Sequence, residues 1–191
     1  MISGLFCTSA IAAEQTAIFA GGCFWGVEAV FEHVKGVTDV RSGYSGGTRN
    51  TATYDDVSSG TTRHAEAVEV RFDPAKITYE QLLNIFFVVA HDPTEVDRQG
   101  PDRGPQYRSV IFYKDDSQMR SAKAFIDAIN ASKAFKKPVA TKLVPFAAFY
   151  EAEEYHQNYL KNNPTDSYIV MNDMPKLAAL KQKFPDLYTG E

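Results

Sequence analysis

Residues 16–34 read TAIFAGGCFWGVEAVFEHV and join an apolar run, two glycines and a second apolar pattern. The run over residues 16–20 ends at glycine, which predicts a buried strand. After Trp25 the apolar residues recur every three or four positions, which predicts a helix packed on one face. Cys23 therefore lies at a strand-to-helix junction, where the two preceding glycines permit a tight turn.

Cys23 is a candidate nucleophile because of this position. A thiol reacts as its thiolate, and a free cysteine pKa of about 8.5 leaves little thiolate at neutral pH. A helix N-terminus favours the anion, so we expect the junction to lower the pKa of Cys23. A nearby cation would do the same, although Arg41, Arg49 and Arg63 are expected to be solvated. The alternative is that Cys23 is a small buried core residue.

Composition limits the classes of function. The chain has 191 residues, of which 44% are hydrophobic, so it can bury one sizeable core. Its formal net charge is −4 with no long run of one sign, which gives no indication of a nucleic-acid or membrane partner. Cys7 and Cys23 are too few for a disulfide framework or a cysteine-rich zinc site.

Residues 1–13 are uncharged and apolar or small, and Ala10-Ile11-Ala12 resembles the cleavage site of an export signal. A signal peptide usually opens with lysine or arginine, and this segment has neither. The pattern favours an exported, periplasmic protein. A cytoplasmic location is the alternative if the segment is not a signal.

Further strands are predicted over residues 37–44, 64–72, 107–113 and 139–144, and helices over 78–91, 117–130, 152–162 and 176–184. The first six elements follow the split βαβ order of ferredoxin-like folds. We therefore expect an α/β (α+β) fold, a two-layer ferredoxin-like plait with a mainly antiparallel sheet and extra C-terminal helices. Residues 14–164 form the expected catalytic domain, and residues 165–191 form an extension that wraps loosely around it.

Glu66 is the strongest candidate partner of the thiol. The alternation over residues 64–72 places its side chain on the same face as Val68, Val70 and Phe72. Burial on an apolar face raises the pKa of a carboxyl group and makes it a proton donor at neutral pH. The alternative places Glu66 at a solvated strand end, where it only hydrogen-bonds a loop.

Four aromatic side chains are further candidates. Tyr54 and Tyr107 lie in or beside two long loops, over residues 45–62 and 94–106, and a phenol can donate to a substrate oxygen. Phe24 and Trp25 follow Cys23 directly, and at least one of these rings is expected to wall an apolar pocket beside the thiol.

Metal-binding residue types occur at His91-Asp92 and at Glu153-x-x-His156. One Glu-x-x-His is only half of a di-iron set, and no third ligand is evident. Capped helix ends and surface pairs account for both groups, so we expect no metal.

Six motifs occur in order along the chain. They are G-C-F-W-G at 22–26, G-Y-S-G-G at 43–47, H-A-E at 64–66, H-D-P-T at 91–94, Q-Y-R-S at 106–109 and Y-H-Q at 155–157. Together they resemble the motifs of the peptide-methionine (S)-S-oxide reductases. The resemblance implies that family's α/β fold, built on a two-layer plait.

The resemblance also implies roles for the candidate residues. Cys23 corresponds to the family's nucleophile and Glu66 to its acid. Tyr54 and Tyr107 correspond to its two oxygen-binding tyrosines, and Asp102 corresponds to its supporting aspartate.

The reaction follows from the same resemblance. The Cys23 thiolate attacks the sulfur of methionine sulfoxide, free or in an oxidised protein, and Glu66 protonates the oxygen. Methionine leaves, and Cys23 becomes a sulfenic acid. Phe24 and Trp25 correspond to the aromatic pocket for the substrate's methyl group.

Many relatives carry recycling cysteines near the C-terminus, but residues 165–191 contain none. Removal of the leader with Cys7 would leave Cys23 as the only thiol. We therefore expect a one-cysteine enzyme. We also expect it to be a monomer and to bind no cofactor. An external thiol, such as thioredoxin, glutaredoxin or glutathione, would then reduce the sulfenic acid directly.

Three other functions compete with this interpretation. A thiol peroxidase would form the same sulfenic acid from peroxide. A papain-like protease also has Cys and Trp near its N-terminus, but its aromatic residue follows the nucleophile directly, whereas Phe24 intervenes here. In a non-catalytic binding module, Cys23 would only be a buried residue.

Overall fold

The computed structural model describes residues 13–190. The strands in this range are β1 (Gln15–Ala20), β2 (Val37–Ser45), β3 (Ala65–Phe72), β4 (Arg98–Gln99), β5 (Asp102–Arg103), β6 (Val110–Tyr113), β7 (Lys142–Pro145) and β8 (Phe149–Glu151). The α-helices are α1 (Phe24–Glu32), α2 (Tyr54–Ser58), α3 (Tyr79–Ile85), α4 (Asp116–Ser132), α5 (Tyr159–Asn162) and α6 (Met174–Lys183). Single 3₁₀ turns cover Arg49–Thr51, Pro105–Tyr107 and Glu154–His156, and π-helical turns cover Phe86–Ala90 and Ile169–Asp173.

Six of these strands form one sheet in the order β7-β6-β1-β3-β2-β8, and β4 and β5 form a separate small ladder. Neighbouring strands of the large sheet are antiparallel except for β6 and β7, which are parallel. The predicted α/β fold with a mainly antiparallel sheet is therefore confirmed. β1 is an interior strand of the sheet, with β6 on one side and β3 on the other. The turn that follows β1 therefore lies near the middle of one edge of the sheet, among the ends of its strands.

The core lies between the sheet and the helices that cover it. Phe19 of β1 stacks on Phe31 of α1 with ring centroids 5.3 Å apart and on Phe86 at 4.8 Å. Each of these rings is almost fully buried, which contributes about 1.5–3 kcal/mol per side chain. This packing fixes the direction in which α1 leaves β1.

Side-chain hydrogen bonds cap the N-termini of α3 and α4. The Gln81 backbone N–H donates to Thr78 Oγ1 at 3.2 Å, and the Thr78 N–H donates to Gln81 Oε1 at 2.9 Å. This capping box begins α3, within the helix predicted over residues 78–91. Asp115 caps α4 by accepting from the Gln118 N–H at 2.9 Å.

The predicted helix over residues 152–162 was wrong. A 3₁₀ turn and the short α5 occupy this range, separated by Asn158 at a φ of 53°. The Gln157 side chain accepts from the Ser42 N–H and donates to the Ser42 carbonyl, both at 3.0 Å. These contacts to β2 hold the segment extended at a point where its sequence favours a helix.

The prediction that residues 165–191, here called the tail, wrap loosely around the domain was also wrong. Ile169 and Leu180 are fully buried, and α6 packs against α1. A β-bridge joins Tyr188 to Val34 at the end of α1. The predicted helix over residues 176–184 is confirmed by α6, but it is an integral part of the core.

The predicted export signal and Cys7 lie outside the described residues, so the leader stays a prediction. Within residues 13–190, no helix combines the length and apolar character needed to cross a membrane.

Candidate active site

Cys23 stands immediately before α1, at the end of the turn that follows β1, as predicted. Gly22 has a φ of 96°, a conformation that favours glycine, and a Cβ there would clash with the Gln99 side chain. A Cβ on Gly21 would lie 2.9 Å from the His91 ring. The glycines therefore allow β4 and His91 to close over the turn and bury the thiol, which is 8% exposed.

Glu66 lies on β3 and is 2% exposed, so the alternative of a solvated strand end was wrong. Its Oε2 accepts a hydrogen bond of 3.0 Å from the backbone N–H of Phe24, next to the cysteine. Burial raises the pKa of the carboxyl group to about 8, against the opposing effect of that hydrogen bond. Glu66 therefore holds a proton at neutral pH.

The predicted lowering of the Cys23 pKa was wrong. Burial is the main cause that raises the pKa of the thiol, and Glu66, once ionised, and Asp173 raise it further. The Trp25 backbone N–H and the Lys176 ammonium oppose them. The prediction considered only the helix end, whereas desolvation and neighbouring carboxylates outweigh it.

The cation that acts on the thiol is Lys176, and none of the three arginines takes this role. Arg41 pairs with Asp39 at 3.3 Å, and the Arg49 guanidinium lies 5.4 Å from the Tyr150 ring centre. Because the pKa values of the Cys23 thiol and the Glu66 carboxyl group are both raised, both groups are protonated and neutral at rest.

Tyr54 begins α2, and Tyr107 ends the 3₁₀ turn Pro105–Tyr107. Burial raises the pKa of both phenols, and ionised Glu66 and Cys23 raise it further, so all four groups face one site. Both tyrosines remain O–H donors over the working pH range. The structure therefore brings the predicted nucleophile, acid and phenols together.

Glu153 positions Tyr54, a role that the sequence analysis missed. Its Oε1 accepts from the Tyr54 backbone N–H and its Oε2 from the Tyr44 hydroxyl, both at 2.9 Å. Burial alone would raise the Glu153 pKa, but these hydrogen bonds hold it below the ordinary value. The Glu153-x-x-His156 pattern thus serves to support an aromatic wall.

That wall is built on Trp25, which is half-buried, while Phe24 is 1% exposed and lies in the core. The indole stacks on Tyr159 with ring centres 3.7 Å apart and an interplanar angle of 7°, and meets Tyr168 edge-on. Its N–H donates to His156 Nδ1 at 3.1 Å. Of the two predicted rings, Trp25 is therefore the one that remains accessible.

The sequence analysis considered His156 as a metal ligand and as the histidine of the Y-H-Q motif. Because Nδ1 accepts from Trp25, the neutral ring carries its proton on Nε2, and burial lowers the His156 pKa. The ring lies 4.4 Å from that of Tyr54 and 5.0 Å from that of Phe24. His156 therefore joins the aromatic wall to one of the phenols.

His91 is a structural residue. Its Nδ1–H donates to the Phe86 carbonyl at 2.9 Å, and its Nε2 accepts from the Ser109 hydroxyl at 2.7 Å. Burial lowers the pKa of His91 to about 4, so the ring is neutral. Within the described part of the chain, no group of three or more histidine, cysteine, aspartate or glutamate side chains is placed to hold a metal ion.

Asp102 lies on β5 and accepts a short hydrogen bond from the hydroxyl of Tyr168. Tyr168 belongs to the tail, so residues beyond 164 take part in the site together with Tyr159. Tyr159 could have been found from the sequence, because it lies two residues after the Y-H-Q motif. Tyr168, Asp173 and Lys176 lie in no motif, and only the packing of the tail against α1 identifies them.

The chemical capacity of the site follows from these groups. A buried thiol faces a protonated carboxyl group and two phenols, beside a partly accessible aromatic surface. Such a site can attack an electrophilic atom while it donates protons and hydrogen bonds to an oxygen on that atom.

Comparisons with known proteins agree on one family. The protein-family model described as peptide methionine sulfoxide reductase matches residues 15–188. Peptide methionine sulfoxide reductase MsrA 2 of Mesorhizobium japonicum is 53% identical over 92% of this chain and 90% of that protein. MsrA 2 of Synechocystis sp. is 52% identical over 90% of this chain and 80% of that protein.

Solved structures show the same relationship. Methionine sulfoxide reductase A of Corynebacterium diphtheriae has a TM-score of 0.75 and 34% identity, over 80% of this chain and 76% of that one. The reduced form of Mxr1 from Saccharomyces cerevisiae has a TM-score of 0.73 and 33% identity, over 82% of this chain and 89% of that one. Mxr1 has also been solved in complex with Trx2. The chain described here therefore belongs to the peptide methionine sulfoxide reductase family of type A.

Proposed function

We propose that this protein reduces methionine S-sulfoxide, free or in oxidised proteins, to methionine by a thiol-dependent reaction at Cys23. The observation that carries this proposal is the Glu66 carboxyl group, which is buried, protonated at neutral pH and hydrogen-bonded to the residue after the cysteine. A sulfoxide oxygen must gain a proton as its sulfur is attacked, and Glu66 can supply it.

The Cys23 sulfur attacks the sulfoxide sulfur, and the proton of Glu66 passes to the oxygen. Tyr54 and Tyr107 donate hydrogen bonds to that oxygen and stabilise the negative charge that develops on it. The attack forms a bond between the Cys23 sulfur and the sulfoxide sulfur, and the proton that Cys23 loses replaces the one that Glu66 donates. The hydroxyl then moves to the Cys23 sulfur while this sulfur–sulfur bond and the sulfur–oxygen bond of the former sulfoxide break, which releases methionine as a thioether. Cys23 is thereby oxidised by two electrons to a sulfenic acid, and the sulfoxide is reduced by two.

The raised pKa of Cys23 is compatible with this order of events. A thiolate and a carboxylate side by side repel each other, so the two groups do not ionise together in the resting site. The Glu66 carboxylate forms only when its proton passes to the substrate. Thiolate formation is then expected to accompany substrate binding, when water leaves the site and the phenols acquire an acceptor. Asp102, held by Tyr168, would support the oxygen-binding side of the site.

Trp25 is the accessible wall of the site and Phe24 its buried base. When the substrate's methyl group packs on the indole, only one of the two configurations at the sulfoxide sulfur points its oxygen to Glu66 and the phenols. Such a fixed arrangement of apolar and polar sides favours one epimer, and membership of the family supports the S epimer as the one reduced.

The proposed reductant is an external thiol, with no bound cofactor. Residues 165–191 contain no cysteine, and the positions near the site that they occupy are Tyr168, Asp173 and Lys176. Direct reduction of the Cys23 sulfenic acid by thioredoxin, glutaredoxin or glutathione would release water and form a mixed disulfide. The complex of Mxr1 with Trx2 favours thioredoxin among these.

Three further proposals concern the whole chain. The order β6-β1-β3-β2, all antiparallel, supports a ferredoxin-like plait at the centre of the sheet. We assign residues 14–164 to the catalytic domain and residues 165–191 to an extension that completes its site. An exported, monomeric protein remains our expectation, with residues 1–13 as the leader.

The test compares purified protein and its Cys23→Ser variant on peptides that contain the separate S and R epimers of methionine sulfoxide, with dithiothreitol as reductant. We expect reduction of the S epimer alone and no activity in the variant. Equal reduction of both epimers would contradict the stereochemical proposal. Consumption of hydrogen peroxide without sulfoxide reduction would identify a thiol peroxidase.

A further inference from the structure

A buried ion pair in the tail lies beside the catalytic cysteine. Lys176 Nζ is 3.1 Å from Asp173 Oδ1, and the side chains of Lys176 and Asp173 are 19% and 0% exposed. The second oxygen of Asp173 is buried without a hydrogen-bond partner among the described residues. A buried pair of this kind adds little to stability compared with apolar residues, so its position near the thiol requires another explanation.

Gly26 is the residue on which this pair is seated. A Cβ at Gly26 would overlap Asp173 Oδ1 and would lie only 2.6 Å from Lys176 Nζ. Gly26 is in the first turn of α1, three positions after Cys23, and it ends the G-C-F-W-G motif. The proposed reaction uses the other residues of that motif, and the fit of the ion pair explains its last glycine.

The two members of the pair have opposite effects on the pKa of the Cys23 thiol. The Asp173 carboxylate raises the pKa of Cys23 and the Lys176 ammonium lowers it. The other titratable groups that face the thiol or the pair are Glu66, Tyr54, Tyr107, Asp102, Tyr159, Tyr168 and His91. Lys176 is the one cation among the described residues of this group, because His91 is neutral.

We propose that the Asp173–Lys176 pair, seated on Gly26, sets the reactivity of Cys23. Lys176 stabilises the thiolate as it forms, and Asp173 holds the ammonium in place while it limits the positive charge that the sulfur experiences. The pair acts on the nucleophile through its charges and through its contact with Gly26, so it is a positioning element and not a catalytic one. This inference rests on the proposed function only in taking Cys23 as the nucleophile.

The experiment measures the pH dependence of Cys23 alkylation by iodoacetamide, which requires no sulfoxide. Lys176→Met should raise the Cys23 pKa and slow alkylation at pH 7.5 by about threefold to tenfold, because one pKa unit is a tenfold change in thiolate. Asp173→Asn should lower the pKa and speed alkylation by a similar factor. Lys176→Arg should restore the rate to within about twofold of the parent.

Lys181→Met is the matched control, because Lys181 lies on the same helix but 5.9 Å from the Tyr188 ring centre, away from Gly26. It should leave alkylation unchanged. A merely structural pair would give both variants the same direction of change or less than a twofold effect, and either result overturns the proposal. If Lys176→Met does not fold, Asp173→Asn decides alone. Absence of sulfoxide reduction in the parent protein would refute the proposed function without affecting these shifts.

Discussion

Glu66→Gln separates the acid role of Glu66 from its structural role. The amide is nearly isosteric with the acid, and its Oε1 can still accept the Phe24 N–H bond that the carboxylate accepts at 3.0 Å. The fold and the start of α1 should therefore be preserved. What the variant loses is a proton that burial keeps on the carboxyl group up to a pH of about 8.

The expected loss follows from the cost of removing a general acid. Such groups contribute about 100-fold to 10,000-fold, so the single-turnover reduction of S-sulfoxide should slow by that factor, or about 3 to 5 kcal/mol in activation free energy. Alkylation of Cys23 should not slow with it. Ionised Glu66 raises the pKa of the thiol, so a neutral amide should make alkylation as fast as in the parent or faster.

The assay is quenched flow at pH 7 with excess enzyme and no reductant, with iodoacetamide alkylation measured in parallel. In the parent, the reductive rate should fall as the pH rises through about 8, because Glu66 then loses the proton it donates. The variant should lack this decline. A Glu66→Gln rate within about threefold of the parent, with an unchanged pH profile, would refute the acid role.

Four other side chains give direct tests. Tyr54→Phe and Tyr107→Phe should each slow the reductive step by about 10-fold to 100-fold without loss of stability, because each removes one donor to the developing oxygen charge; rates equal to the parent in both would exclude that role. Trp25→Leu should weaken binding of S-sulfoxide peptides and narrow the ratio of S to R reduction, and an unchanged ratio would mean that the indole does not select the epimer. Leu180→Ala should lower the free energy of unfolding by about 2–5 kcal/mol, because the side chain is fully buried between α6 and the core, and thermal unfolding that matches the parent would mean that the tail is held elsewhere.

The sequence patterns that predicted the site were local and periodic. Alternation along residues 64–72 placed Glu66 on a buried face, and it is 2% exposed in β3. The glycine turn before Cys23 was predicted from an apolar run that meets a helical pattern, and Gly22 adopts the positive φ that such a turn requires. In both cases, one element decides the outcome.

Features that depend on distant contacts could not be predicted in the same way. Residues 152–162 have a helical composition, but Gln157 binds the backbone of Ser42, which is 115 positions away. The sign of the Cys23 pKa shift depends on burial by other elements and on the carboxylates of Glu66 and Asp173, and not on the helix end alone. Lys176 became part of the site only because Gly26 lacks a side chain.

The tail changes how the absence of C-terminal cysteines is understood. Residues 165–191 contain no thiol, but they contribute Tyr168 to Asp102 and an ion pair to the first turn of α1. The segment is therefore a structural part of the candidate active site. Any external reductant would have to approach Cys23 past the half-buried side chains of Trp25, Tyr159 and Tyr168.

The central claim is that the Cys23 sulfur takes the oxygen of an S-sulfoxide. One measurement tests it most directly: single turnover of a methionine S-sulfoxide peptide without reductant, with dimedone present and the modified residue located by mass spectrometry. We predict one methionine released per chain and one dimedone adduct, on Cys23. Release of methionine without an adduct on Cys23, or an equal yield from the R epimer, would contradict the claim.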